Sequence, residues 1–281
     1  MHLLIKKVFS QVQKMQKHKI FDMNIHLTPD KTFMEYALNM PCTFNTYQES
    51  IKSSFDFIGG LIVGLPNVGS YSHNKQYKIS KKINCPALAA ITNSCLKNMD
   101  TSLMKIKDIG FIGVKYHQRL LDASWSSNSL KDVALFCEKH DLILAICTYE
   151  KESQKKSKIL PMLKDISSFN IKIILMHSGG VRFLDFYNFS LSKKNIILDT
   201  SFTLKRYEDT GIITDIIKAI NDDSKRIVFG SDFPDYNLED YKKSLDKISA
   251  FIKTPSIEEN FTYKNALNFL GPDSIGLQHA K

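Results

Sequence analysis

The stretch IFDMNIHL, residues 20–27, is a short apolar run that carries Asp22, Asn24 and His26 at every second position. Side chains two apart on a β-strand point to the same side of the sheet, so a strand here is expected to aim all three polar groups one way. Seven further runs of this kind follow: FIGGLIVGL (57–65), ALAAIT (87–92), GFIGVKYH (110–117), LILAICT (142–148), IKIILMH (171–177), NIILDT (195–200) and RIVFGSD (226–232). Most are almost continuously apolar, as strands covered by helices on both faces are, which points to a parallel sheet. The stretches between them, NSLKDVALFCEKH (128–140) and GIITDIIKAINDD (211–223) among them, have helical periodicity and suit the crossovers of parallel strands. Eight such alternations close most naturally as an α/β protein of the (β/α)8 TIM-barrel type.

The length of 281 residues is the ordinary size of one barrel. The expected organisation is an N-terminal helical extension over residues 1–19 and a single barrel domain over residues 20–281. In the extension Leu3, Leu4, Val8, Val12 and Met15 fall near helical spacing, with lysines between them. Packing across the barrel bottom is its simpler use, and a membrane or partner helix the other. The Ser/Asn/Lys-rich stretch 67–84 and the segment around Trp125 read as long loops above the barrel, and the tail after Gly271 is expected to fray.

Hydrophobic residues at 43% and charged residues at 24% exclude a mostly disordered chain. Five cysteines, odd in number and without CxxC spacing, argue against a disulfide framework or a zinc ribbon and for a reducing, cytoplasmic setting. No apolar segment is long enough to span a bilayer. The net charge of +9 comes from lysines scattered over helical stretches without interleaved aromatics, which speaks against nucleic acid. An anionic small-molecule substrate is a better use of that excess. The oligomeric state is open, and a homo-oligomer is compatible with the sequence.

A barrel carries its chemistry at the C-terminal ends of its strands. His26 ends the first strand, Lys115 and His117 the fourth, Cys147 the fifth, His177 the sixth, Asp199 the seventh and Asp232 the eighth. Any one of these is most simply a satisfied group in a turn. Imidazoles, a thiol and carboxylates gathered at one mouth form a candidate site.

The segments DMNIH, GFIGVKYH, ILMHSGG, NIILDTS, RIVFGSDFP and, in the last helix, YKNALNFLG follow one another between about residues 20 and 271. In that order they resemble the amidohydrolase-related family, a metal-dependent branch of the amidohydrolase superfamily that includes decarboxylases and lactonases. The resemblance implies a divalent metal, commonly zinc, held by His-x-His on strand one, a His on strand five and an Asp on strand eight. It also implies a His after strand six that assists proton transfer. His26, His177 and Asp232 match by position, whereas Asn24 replaces the first His and Cys147 the strand-five His.

A thiolate is a good zinc ligand, so His26, Cys147 and Asp232 are the candidate metal set, with an open position for water. An Asn carbonyl is a weak zinc ligand, which assigns Asn24 to substrate binding. Lys115 and His117 are assigned there too, since a charged lysine at a barrel mouth suits a carboxylate, although Lys115 can equally pair with a neighbouring carboxylate such as Asp22. Gly179 and Gly180 after His177 either present N–H groups to an oxyanion or simply permit a tight turn. Phe33, Tyr36, Phe44, Tyr47, Tyr71, His73, Arg119 and Trp125 lie in segments that would shape the substrate pocket.

Three functions follow. The first is a hydrolase or decarboxylase of a small carboxylated or sugar-derived substrate, with metal-activated water, Asp232 taking a proton and His177 donating one. The second is a metal-independent lactonase with Asp232 as general base. The third is a non-catalytic barrel that binds a ligand or partner.

Overall fold

The computed structural model describes residues 17–28, 43–66, 71–121, 127–150 and 157–271. The eight apolar runs form β1 (Lys19–Ile25), β2 (Asp56–Val63), β3 (Ala87–Ala90), β4 (Gly113–Tyr116), β5 (Ile143–Cys147), β6 (Ile173–Met176), β7 (Ile196–Asp199) and β8 (Ile227–Val228). They make one sheet in chain order, each pair parallel. The ring is drawn together where Met23 N donates to Phe229 O at 3.1 Å, His26 N to Phe233 O at 2.9 Å and Asp232 N to Asn24 O at 2.9 Å.

One principal helix follows each strand: α1 (Phe44–Ser54), α2 (His73–Lys82), α3 (Met99–Ile109), α4 (Ser127–His140), α5 (Ile159–Ile166), α6 (Phe183–Leu191), α7 (Gly211–Asp222) and α8 (Leu238–Ser249). Several start where a side chain takes the first free N–H groups. Thr43, Ser72, Thr210 and Asn237 accept from Thr46, Lys75, Ile212 and Glu239. The stretch 67–84, expected as a loop, therefore holds α2: the Ser72 cap, the bond from Ala90 N to Tyr71 OH and that from His73 Nε2 to Ala90 O order it despite its polar composition.

Two apolar layers result. Inside the barrel Phe21, Met23, Leu61, Val63, Leu88, Ile174 and Val228 pack together. Ala266 and Leu270 of the closing segment join that layer, and Asn265 Nδ2 fixes the segment by donating to Ile227 O at 2.9 Å. Outside, Ile62, Val114, Leu144, Leu175 and Leu198 meet the helices. The extension over residues 1–16, Phe33, Tyr36, the loop around Trp125 and the tail beyond Gly271 lie outside the described residues. Among the described residues no helix is long and apolar enough to cross a membrane.

Candidate active site

The pairing of β1 with β2 shifts register between Asp22 and Ile25. Such a shift breaks the two-residue alternation, so Asp22, Asn24 and His26 do not act as the one polar face expected of them. Asp22 instead accepts from Tyr47 OH at 3.0 Å, Ser231 N at 2.8 Å, Ser231 Oγ at 2.6 Å and Asn24 N at 3.2 Å. Burial pushes its carboxyl up to about 7 even against those four donors. Asp22 is a tie between β1, α1 and the end of β8, and Lys115 has other company.

Asn24 and His26 both reach Asp232. Asn24 Nδ2 donates to Asp232 Oδ1 at 2.6 Å and to Ser201 Oγ at 2.9 Å. Ser201 Oγ gives its own proton to Asp199 Oδ2, so it must accept from Asn24 and the amide orientation is fixed. His26 Nε2 lies 3.1 Å from Asp232 Oδ1, while Nδ1 donates to Val63 O at 2.8 Å. His177 closes the other side, with Nδ1 3.1 Å from Ser201 O and 4.0 Å from Asp232 Oδ2. Asp232 and His177 both hold left-handed backbone, φ 58 and 65, a strain of about 1 kcal/mol or more that gathers at functional sites.

On the neighbouring strands Lys115, His117 and Cys147 are all buried. Arg119 Nη2 donates to the Cys147 sulfur at 3.9 Å, and His117 and His177 are the groups whose charge acts on that sulfur most strongly. Cys147, Asp232 and Asp199 are the anionic groups that act most strongly on Lys115. Burial lowers the Lys115 ammonium, although those three groups oppose the change. Burial works against Asp232 ionising, yet His177 above all, with Lys115, holds its carboxyl well below the usual range. Burial also disfavours the His177 cation, but Asp232 and Cys147 outweigh it and raise His177 to about 9. Burial opposes a Cys147 thiolate, and His117 with His177 overcomes it, so the thiol sits well below its usual range. His26 is lowered by burial and by Lys115.

The implied zinc was tested on the donor set. His26 Nε2 and Asp232 Oδ1 face one another as two ligands would, but the third neighbour of Asp232 Oδ1 is an amide N–H, which repels a cation. Cys147 takes a bond from Arg119 Nη2 and is acted on by His117 and His177. Among the described residues no three His, Cys, Asp or Glu side chains group so as to hold a metal. The expected His26, Cys147 and Asp232 set is therefore not assembled, and the residues present do not fit a zinc ion.

The HSGG turn serves conformation. Gly179 N is taken by Thr148 Oγ1 at 2.7 Å, its φ is 81, and a Cβ there would collide with the Phe186 ring. Tyr47, Tyr71 and His73, considered as pocket residues, are instead held by Asp22, Gln76 and Ala90. Ser201 carries no signal in the sequence because it stands two residues after the strand-seven carboxylate Asp199 with no motif of its own. Asp235, whose carboxyl burial and Asp232 raise to about 7, was signalled only by its spacing of three from Asp232.

The amidohydrolase family model matches residues 99–271, more than half of the chain. No curated protein matches it. An uncharacterised TIM-barrel protein from Bordetella bronchiseptica superposes with a TM-score of 0.75 at 16% identity, covering 92% of this chain and 99% of that one. A probable 2-pyrone-4,6-dicarboxylic acid hydrolase from Acinetobacter baumannii, solved with citric acid bound, gives 0.67 at 14% identity over 91% and 100%. Dihydroorotase from Campylobacter jejuni gives 0.58 at 14% identity over 89% and 82%. At these identities the structures share the barrel fold, and the family match carries the assignment: the chain belongs to the amidohydrolase family and is a hydrolase.

Proposed function

We propose that the chain hydrolyses a small carboxylated lactone without a metal, with Asp232 as general base. The observation that carries this reading is the Asn24 amide on Asp232 Oδ1, a proton donor where the family pattern places a metal ligand. Because Val63 O accepts from His26 Nδ1, the neutral ring turns the Nε2 lone pair toward Asp232. Two acceptors 3.1 Å apart take up a proton from an attacking water and share it. His177, raised to about 9, is protonated at neutral pH and donates to the departing alkoxide.

Lys115, His117 and Arg119 supply the binding side. Their donors suit a carbonyl oxygen and a carboxylate, and Arg119 is steadied by the Tyr149 ring 4.7 Å away. The Acinetobacter baumannii protein of the same fold is named for a dicarboxylated pyrone and holds citric acid, which supports a carboxylated substrate class. The competing reading, a zinc hydrolase or decarboxylase on His26, Cys147 and Asp232, needs Cys147 to leave His117 and Arg119 and Asn24 to leave Asp232. Turnover of a panel of carboxylated lactones before and after chelation tests the choice, together with Asp232→Asn. Activity that survives chelation and is lost in the variant supports the proposal, and activity lost to chelator and restored by zinc refutes it.

A further inference from the structure

Chemistry at Asp232 leaves Cys147 without a role, although few groups in the protein are so closely attended. Its sulfur sits at the end of β5, fully buried, with Arg119 Nη2 donating to it at 3.9 Å and with His117 and His177 the groups that act on it most strongly. His177 in turn has Asp232 Oδ2 4.0 Å from Nδ1, and Ser201 O 3.1 Å from the same atom. A buried thiol acted on by an imidazole that itself has a carboxylate nearby is the kind of arrangement that activates a sulfur nucleophile. Cys137 is equally buried, and only burial acts on it, as expected of a structural cysteine. A second observation marks the same mouth as built for a ligand. His117 Nδ1 and Asn24 Oδ1 are buried and find no hydrogen-bond partner among the described residues.

We propose that Cys147 is the nucleophile of the hydrolysis, which then runs through a thioester on its sulfur. This rests on the hydrolytic reading above and moves Asp232 from the first attack to the second. The sulfur attacks the lactone carbonyl carbon, the ring C–O bond breaks, and the alkoxide takes a proton from His177. The opened product stays attached through sulfur. Water then attacks the thioester, passing a proton to the Asp232 and His26 pair, and the C–S bond breaks to return the sulfur as thiolate. The pair hands its proton to His177 through Oδ2, and the released hydroxy acid ionises to solvent. Arg119 and Lys115 stand ready for the oxyanion of both steps.

The test uses the whole protein with dihydrocoumarin, an activated lactone, and with p-nitrophenyl acetate. Acid-quenched samples of wild type, Cys147→Ala, Cys147→Ser and Asp232→Asn are read by intact mass and peptide mapping. Asp232→Asn is expected to accumulate an adduct of the whole lactone on Cys147 that hydroxylamine removes. Cys147→Ala is expected to lose turnover by roughly a thousandfold, and Cys147→Ser, which keeps the shape of the site, to lose it as well. Where dihydrocoumarin is not turned over, acetylation by p-nitrophenyl acetate decides: Cys147 must react ahead of Cys42, Cys85, Cys95 and Cys137. Turnover of Cys147→Ala within about tenfold of wild type, no adduct in Asp232→Asn, or acetylation of Cys147 no faster than of the other cysteines overturns the proposal. Those results leave direct attack by water intact, whereas full turnover by Asp232→Asn defeats the general-base reading whatever happens at Cys147.

Discussion

The side-chain amide of Asn24 donates to Asp232 Oδ1 at 2.6 Å, and the same oxygen lies 3.1 Å from His26 Nε2. A carboxylate that receives an N–H bond is held in its ionised form, and the neighbouring lone pair gives it a partner for the proton it later accepts. Asn24→Ala removes the donor and raises the Asp232 pKa. The acid limb of kcat/KM is expected to move to higher pH, and kcat to fall by roughly 10- to 100-fold. A pH–rate series on both proteins reads this directly.

His177 supplies the other limb. Burial opposes its charge, while Asp232 and Cys147 hold it up to about 9. A general acid works only while protonated, so activity is present below that value and declines as pH rises through about 9. His177→Gln should abolish the limb along with most of the turnover, and an unchanged alkaline limb in the variant would remove His177 from the acid role.

Lys115 is buried, and Cys147, Asp232 and Asp199 are the anionic groups that act on it most strongly. Lys115→Met is expected to lower kcat/KM by about a hundredfold. Lys115→Arg should not restore it, because a planar guanidinium does not occupy the place of a compact ammonium. Steady-state kinetics on the two variants separates this from a purely packing role, which the longer side chain would partly rescue.

Asp22 makes a prediction about stability. Four donors converge on its carboxylate from Tyr47, Ser231 and Asn24. Asp22→Ala leaves them buried without an acceptor, at a cost of roughly 3 kcal/mol or more. Urea unfolding followed by circular dichroism measures it. The raised pKa has its own sign: the folded state binds the proton more tightly than the unfolded chain, so this contribution is present at acid pH and is lost as pH rises toward 7.

The barrel was legible because strands buried on both faces keep an unbroken apolar run, and all eight such runs are strands in chain order. The gathering of His26, Lys115, His117, Cys147, His177 and Asp232 at strand ends was legible for the same reason, since strand order fixes which termini share a mouth. What period-two counting could not see was the register shift in β1, which sends Asp22 to Tyr47 and Ser231. Nor could it see which cation or proton donor each carboxylate would meet. The bond from the Asn24 amide to Asp232 is one such meeting, since it depends on how β1 and the end of β8 come together. The stretch 67–84 misled because polar composition hides a helix whose order comes from its Ser72 cap and from Tyr71 and His73 gripping Ala90. Arg119 was visible only as a loop residue, and its place at the Cys147 sulfur depends on three-dimensional proximity.

The central claim is that Asp232 works here as a base partnered by Asn24 and His26, without a metal. It is tested most directly by measuring kcat/KM on an active carboxylated lactone with protein freed of metal by exhaustive chelation, then with zinc added back. The account predicts the same value before chelation, after it and after zinc, with Asp232→Asn inactive throughout. Loss of activity on chelation and its recovery with zinc would contradict it.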